Sequence, residues 1–440
     1  MQVRKKDKFY LSIIVIIVIF FSGIVFMTVK KDIKISRVIN LILNNDNPIN
    51  NYANYEKILN KKDKLISDLK KLKKYEYNQS FFPKTQFLEL TFLEKKFQIN
   101  LDKKEVSKIK EIKKKYNKKK NTPFFLEQFE DNLILSSRDG KIYNSSFKNI
   151  LNQNKKLELN YISSNIKGNI IVTDMLMENN LLFIAIFDKE NCKSIIFNGE
   201  FQKNNIQFKE FYSNKMHKRC NKFPTGGRLA KDDKYIYFST DAYSFTNSTV
   251  NDEIFTNDHL GVIIKIDKLS KEIKLLSTGH RNVQGLIVHE DVVLATEHGP
   301  RGGDEINKIL ENNDYGWPST SYGEPYTTKA FNNYKLNKNH KVNGFKEPIF
   351  SYVPSIGISQ IIEVKPSFSE KWSGNFLITS LNGGILERIT FDSNFNKVIS
   401  KEKIKIGYRM RDILYNDKKN IFLLSLEDGD GRLGILKVKN

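Results

Sequence analysis

The side chains best suited to chemistry are concentrated in residues 279–326, GHRNVQGLIVHEDVVLATEHGPRGGDEINKILENNDYGWPSTSYGEPY. Arg281, Asn282 and Gln284 offer forked donors and amide groups just before an apolar run that reads as a strand. After that run, Glu297-His298-Gly299-Pro300 and Gly302-Gly303-Asp304-Glu305 make a turn-rich loop. Its backbone carbonyls and carboxylates suit a hard cation, because calcium takes six to eight oxygens and tolerates irregular geometry. By itself the loop also admits a plainer account, in which the glycines mark a turn and Arg281 pairs with Glu305.

Such a loop needs a scaffold, and the rest of the sequence supplies a repeating one. A polar turn, a strand of alternating apolar residues, a second tight turn and a second strand recur. The pattern appears as DNLILSSRDGKIYN from Asp131 and as ENNLLFIAIFDKENCKSIIFNGEF from Glu178. It returns as DDKYIYFSTD from Asp232, completed by GVIIKIDKLSKEIKLLS, and as EDVVLATEH from Glu290 running into DEINKIL. GNFLITSLNGGILERITFD from Gly374 and KNIFLLSLEDGDGRLGILKVKN from Lys419 close the series. Period-2 strands without long interleaved helices predict an all-β fold. Six such units closing on a common axis describe a six-bladed β-propeller over residues 79–440.

Ahead of it the composition differs. Residues 11–29, LSIIVIIVIFFSGIVFMTV, carry no charge and are long enough to cross a bilayer as a helix. Arg4, Lys5, Lys6 and Lys8 precede them, and no small-residue cleavage site follows. The expectation is an uncleaved single-pass anchor (residues 1–30), then a helical stalk (31–78) with the main domain outside the cytoplasm, in the periplasm. Cys192 and Cys220 are the only cysteines, and either one disulfide or two buried thiols would suit them. The net charge of +22 invites a nucleic-acid reading, yet only 11 of the 72 cationic residues are arginine. Phosphate and base recognition lean on the arginine fork, so a lysine-biased solvated surface is the expectation, with no nucleic-acid partner. The same bias means that a position insisting on arginine uses its planar fork.

The stretch Gly279-His280-Arg281-Asn282, Gln284-Gly285-Leu286, then Ala295 through Asn307, then Tyr315-Gly316-Trp317-Pro318 resembles the glucose/sorbosone dehydrogenase family. These are the soluble quinoprotein sugar dehydrogenases that use pyrroloquinoline quinone (PQQ) and calcium. Gly226-Gly227-Arg228-Leu229, Asp241, Val353-Pro354-Ser355-Ile356, Trp372 with Gly374-Asn375, and Arg409 with Arg411-Asp412 extend the likeness. The resemblance implies a six-bladed propeller. It places Arg281, Asn282 and Gln284 against the quinone, and Arg409 and Arg411 on its carboxylates. Gly299 and Pro300 fall where backbone carbonyls hold the cofactor calcium, and Glu305 and Tyr315 at a second, structural calcium of some members. Asp241 matches the aspartate that orients the family's catalytic histidine, which takes the proton of a sugar hydroxyl while hydride passes to the quinone.

The sequence also departs from the pattern. Where the family carries its proton-abstracting histidine, this chain has Phe223-Pro224, and neither side chain can take a proton. The nearest histidine, His217, lies on another part of that loop. A Gly-Leu-Leu-Gly stretch near residues 165–178 is missing, and Asn382 stands where the family has a quinone-contacting lysine. Two expectations follow. One is an anchored quinoprotein oxidising an aldose or similar alcohol, with its electron acceptor unspecified. The other is a non-catalytic propeller whose central face binds a ligand or an envelope partner.

Overall fold

The computed structural model describes residues 86–99, 123–152, 156–202, 204–214, 226–242, 259–325 and 336–439. The expected anchor and stalk, at 1–30 and 31–78, lie outside the described residues. Among the described residues no helix is long and apolar enough to cross a membrane.

The chain is almost entirely strand. After β1 (Leu90–Ile99) comes a first sheet of β2 (Phe124–Phe129), β3 (Asn132–Ser137), β4 (Ile142–Ser146), the short helix α1 (Phe147–Leu151) and β5 (Lys156–Ser164). The second is β6 (Ile170–Glu178), β7 (Leu181–Asp188), β8 (Lys193–Gln202) and β9 (Asn205–Ser213). The third is β10 (Leu229–Lys231), β11 (Tyr235–Ser239), β12 (Ile263–Asp267) and β13 (Ile273–Thr278). The fourth is β14 (Val283–His289), β15 (Val292–Glu297) and β16 (Asp304–Ile309), with β17 (Asn313–Asp314) leaving to pair with β13 and β18 (Phe350–Tyr352) completing the sheet. The fifth is β19 (Ile358–Glu363), β20 (Phe376–Ser380), β21 (Ile385–Phe391) and β22 (Val398–Lys405). The sixth is β23 (Met410–Asn416), β24 (Ile421–Leu426) and β25 (Arg432–Val438), and its fourth strand is the N-terminal β1, antiparallel to β25.

Each sheet is an antiparallel meander, and neighbouring sheets meet through their first strands in cyclic order. β2 packs on β6, β6 on β10, β10 on β14, β14 on β19, β19 on β23, and β23 returns to β2. This closed ring of four-stranded blades is a six-bladed β-propeller, and closure removes the exposed inner edges an open sheet would leave. β1 fastens the circle, because its far end also pairs in parallel with β5 of the first blade.

The core follows from strand parity, since successive side chains point to opposite faces. In β24, Ile421 and Leu423 enter the apolar cluster shared with the first blade, while Phe422, Leu424 and Leu426 enter the one shared with the fifth. In β15, Val293 and Ala295 face the third blade, while Leu294 faces the fifth. Each of the six apolar clusters lies between two consecutive blades. The middle strands are therefore buried on both faces and read as nearly continuous apolar runs, as expected of blade interiors. The tight turns after β2, β6 and β14 put Glu130, Asn179 and Glu290 at φ of 53°, 52° and 51°, the left-handed geometry that two-residue hairpins require. Cys192, in the β7–β8 turn, is disulfide-bonded, and Cys220 lies outside the described residues.

Candidate functional site

Antiparallel blades bring the starts of the first strands and the ends of the second strands to the same mouth of the ring. Arg281 and Asn282 precede β14, Arg409 and Met410-Arg411 open β23, and Gly226 to Arg228 precede β10. Asp241 follows β11, His298 to Pro300 follow β15, Asn382 follows β20 and Glu427 follows β24. Residues far apart in sequence thus share one face because the fold repeats.

Four of the residues expected around a cofactor form one bonded chain through Glu427. Arg411 Nε donates to Glu427 Oε1 at 2.7 Å, and Arg409 Nε to Glu427 Oε2 at 3.0 Å. Arg411 also donates through NH1 to Gln284 Oε1 at 2.6 Å, and Gln284 Nε2 donates to Asn282 Oδ1 at 2.7 Å. Burial alone would raise the Glu427 carboxyl, but the two guanidinium groups outweigh it and hold Glu427 below its usual range. Arg411 is nearly buried, whereas Arg409 keeps 44% of its side chain exposed at the mouth. Arg138, just past β3, joins the cluster near Arg411, Glu427 and Asp241. Gly226 is wedged between two of these residues: a Cβ there would lie 3.3 Å from both Asn282 Oδ1 and Asp241 Cβ. Its amide reaches Asp241 Oδ2 at 3.4 Å.

The loop after β15 is built on Glu297. One carboxylate oxygen accepts from the Arg281 and Asn282 amides, and the other lies 3.1 Å from His280 Nδ1. Burial would raise this carboxyl, but His280 and the two amides hold it lowered. With its backbone fixed, the Arg281 guanidinium donates to the His298 and Gly299 carbonyls, both at 2.8 Å, and lies 5.2 Å from the Trp317 ring. A Cβ on Gly299 would collide with the Gly302 and Gly303 carbonyl oxygens, so only glycine lets these carbonyls converge. The plain Arg281–Glu305 pairing that the sequence admits is not formed. Arg281 serves carbonyls, and Glu305 Oε1 faces His340 Nε2 at 3.4 Å. Asp304 is likewise spent inside the fold, accepting from Ser355 Oγ at 2.8 Å and the Ile358 amide at 2.9 Å.

Deeper in the ring, Arg228 is almost fully buried between Asp174 (2.9 Å) and Asp412 (3.2 Å), with its guanidinium 5.3 Å from the Phe125 ring. Asp412 also accepts from the Leu126 amide, and Asp174 from the Leu229 amide, each at 2.8 Å. This network ties together the first, second, third and sixth blades. Burial pushes Asp174 up to about 7 despite Arg228, with Asp412 adding to the rise. The neighbouring Glu127 keeps some exposed surface, but its carboxyl lies inside, and burial pushes it up to about 8. Both acids are therefore protonated more readily in the folded chain than in the unfolded one. Their contribution to stability is complete at low pH and is lost as pH rises through 7 and 8. The melting temperature is expected to fall as pH rises from about 4, where the unfolded carboxyls ionise, to about 8, and to level off above that, with Glu127→Gln flattening the fall. A flat wild-type profile over that window would contradict the assignment.

Glu427, His340 and Arg138 were not singled out by the sequence. Arg138 could have been, as one of the rare arginines in a lysine-rich chain. Glu427 sits in a Glu-Asp-Gly-Asp-Gly run that reads as a turn, and nothing local marks His340. Phe223 and Pro224 lie outside the described residues, as does His217.

Residues 121–435 match the family model described as Glucose / Sorbosone dehydrogenase. An uncharacterised protein of Synechocystis sp. is 31% identical over 197 residues, covering 40% of this chain and 45% of that protein. The aldose sugar dehydrogenase YliI of Escherichia coli is 28% identical over 166 residues, covering 36% of this chain and 43% of that enzyme. The chain thus spans less than half the length of each of these curated relatives. Among solved structures, the PQQ-bound aldose sugar dehydrogenase of Streptomyces coelicolor superposes with a TM-score of 0.53 at 18% identity, covering 72% of this chain and 95% of that one. That likeness is one of fold.

Proposed function

The chain belongs to the glucose/sorbosone dehydrogenase family, and from that membership we propose that it binds PQQ across this mouth of the propeller and oxidises an aldose or similar alcohol. The arginine fork carries the reading. Arg409 and Arg411 are held side by side by Glu427, and two such forks suit a planar polycarboxylate better than lysines would. The donor set fits that group: the guanidinium groups of Arg281, Arg409 and Arg411, the amides of Asn282 and Gln284, and an adjacent loop of convergent carbonyls. When bound, the quinone supplies the hydride acceptor. Arg409, the exposed member, would hold a carboxylate of the quinone, while Gln284, itself bonded to Asn282, fixes Arg411. The Gly299 and Pro300 carbonyls are the proposed holders of the cofactor calcium. The absence of a side chain at Gly299, which lets the Gly302 and Gly303 carbonyl oxygens close in, supports a cation there. Asp241 would orient a proton acceptor beside Gly226.

In the same proposal residues 1–30 anchor the chain in a membrane, 31–78 form the stalk, and 79–440 act outside the cytoplasm. The uncharged run at 11–29 supports this.

One observation favours a second reading, a non-catalytic propeller that binds a ligand or an envelope partner. Phe223 and Pro224 stand where the family's base would be, and loss of such a base costs on the order of 10²- to 10⁴-fold in rate. Dye reduction with PQQ, calcium and a panel of aldoses separates the two. Under the catalytic reading the wild type turns over weakly, and Pro224→His or Phe223→His gains at least about tenfold. Quinone binding without turnover in any of the three proteins would support the non-catalytic reading.

A further inference from the structure

The family's second calcium position does not suit a calcium ion in this chain, and the reason is a histidine. Glu305, on β16, and Tyr315, beyond β17, are the two residues at that position. His340 sits between them, almost fully buried, on a segment fixed by pairing of Asn337 with Ser319 and Ser321. Its Nδ1 donates to the Tyr315 carbonyl at 2.9 Å, and its Nε2 faces Glu305 Oε1 at 3.4 Å. The Tyr322 ring stacks on the imidazole with centroids 5.3 Å apart, fixing its plane. The Tyr315 phenol is turned away, donating to the Lys308 carbonyl and accepting from the Leu310 amide at 3.0 Å.

A calcium ion needs oxygens on six to eight sides at roughly 2.3–2.6 Å. Here an N–H occupies one lone pair of the Tyr315 carbonyl, and a ring nitrogen stands before the Glu305 carboxylate. Imidazole belongs to borderline metals rather than to calcium. Yet among the described residues no group of three or more His, Cys, Asp or Glu is arranged to hold a metal ion. A cavity of about 10 Å³, space for about one water, runs from Glu305, Tyr315 and His340 to Arg281, Gly299 and Trp317.

We infer that His340 takes the place of the structural cation. It clamps the Glu305 carboxylate to the Tyr315 carbonyl, so this part of the site loop is built without a second calcium. The clamp joins the fourth blade to the loop that carries Trp317, on which Arg281 rests, and it holds whether or not the chain turns over a sugar.

Counting bound calcium by native mass spectrometry of the purified full-length chain, in detergent with PQQ present, tests this directly. The wild type is expected to hold at most one calcium, and Glu305→Gln to leave that number unchanged. His340→Ala empties the position between two oxygen ligands. It is expected to gain one further calcium, with a melting temperature that calcium raises and magnesium does not. Two calcium ions per wild-type chain, or a wild-type calcium response that Glu305→Gln removes, would overturn the inference. So would a His340→Ala variant that gains none. Should that variant fail to fold, the wild-type and Glu305→Gln counts decide alone. A wild type with no calcium at all would count against the cofactor-side site at Gly299 and Pro300 but not against the His340 clamp.

Discussion

Arg228→Leu is expected to destabilise the chain by about 3–5 kcal/mol at neutral pH, the usual cost of removing one partner from a buried ion network. The arginine lies between Asp174 and Asp412 with 2% of its side chain exposed. Leucine fills part of the space but leaves two carboxyls facing each other beside Glu127. Their remedy is to take up protons, so the loss should shrink as pH falls, in the direction already set by the raised pKa of Asp174. Thermal melts of wild type and variant at two pH values measure both effects. A loss below about 1 kcal/mol, or one independent of pH, would mean that the network does not join the four blades as described.

Arg411→Lys keeps the charge and removes the fork, and is expected to weaken PQQ binding by about ten- to a hundredfold. That equals about 1.4–2.8 kcal/mol, the scale of one to two hydrogen bonds to a charged group. Lysine cannot hold Glu427 Oε1 and Gln284 Oε1 together in one plane, so Gln284 and Asn282 lose their anchor as well. Calorimetric titration of both proteins reads the difference. An unchanged affinity in a folded variant would exclude Arg411 from the quinone site.

Much of the fold is legible in the sequence, for a physical reason. The six repeat segments fall on the middle strands β3 and β4, β7 and β8, β11 and β12, β15 and β16, β20 and β21, and β24 and β25, the third running on into the outer β13. Those strands are buried on both faces, so they carry the strongest apolar pattern, and their hairpin turns are local. The closing strand β1 is different. Its Glu94-Lys95-Lys96 run looks like surface, and its partner β25 lies more than 300 residues away, a pairing no local pattern can announce.

The site divides in the same way. Arg281, Asn282, Gln284, Arg409 and Arg411 share one mouth of the ring, because each sits at or just before the start of an inner strand. The rule that a lysine-rich chain reserves arginine for forked contacts also holds beyond the site. Arg388 is fully buried, pairing with Glu402 at 2.7 Å and lying 4.3 Å from the Trp372 ring. Glu427 and His340 escaped notice because their meaning is relational. A glutamate in a turn and a histidine in a loop acquire roles only when the ring sets them against Arg411 and Glu305. Under the clamp inferred for His340, Glu305 and Tyr315 are retained while a third residue lies between them.

Isothermal titration of the full-length chain with PQQ, in the presence and absence of calcium, decides whether this mouth of the propeller is a quinone site. The arginine fork predicts saturable binding of one quinone per chain, tighter with calcium and weakened in Arg411→Lys. Folded protein that takes up no PQQ with calcium present would contradict it, whatever the fold resembles.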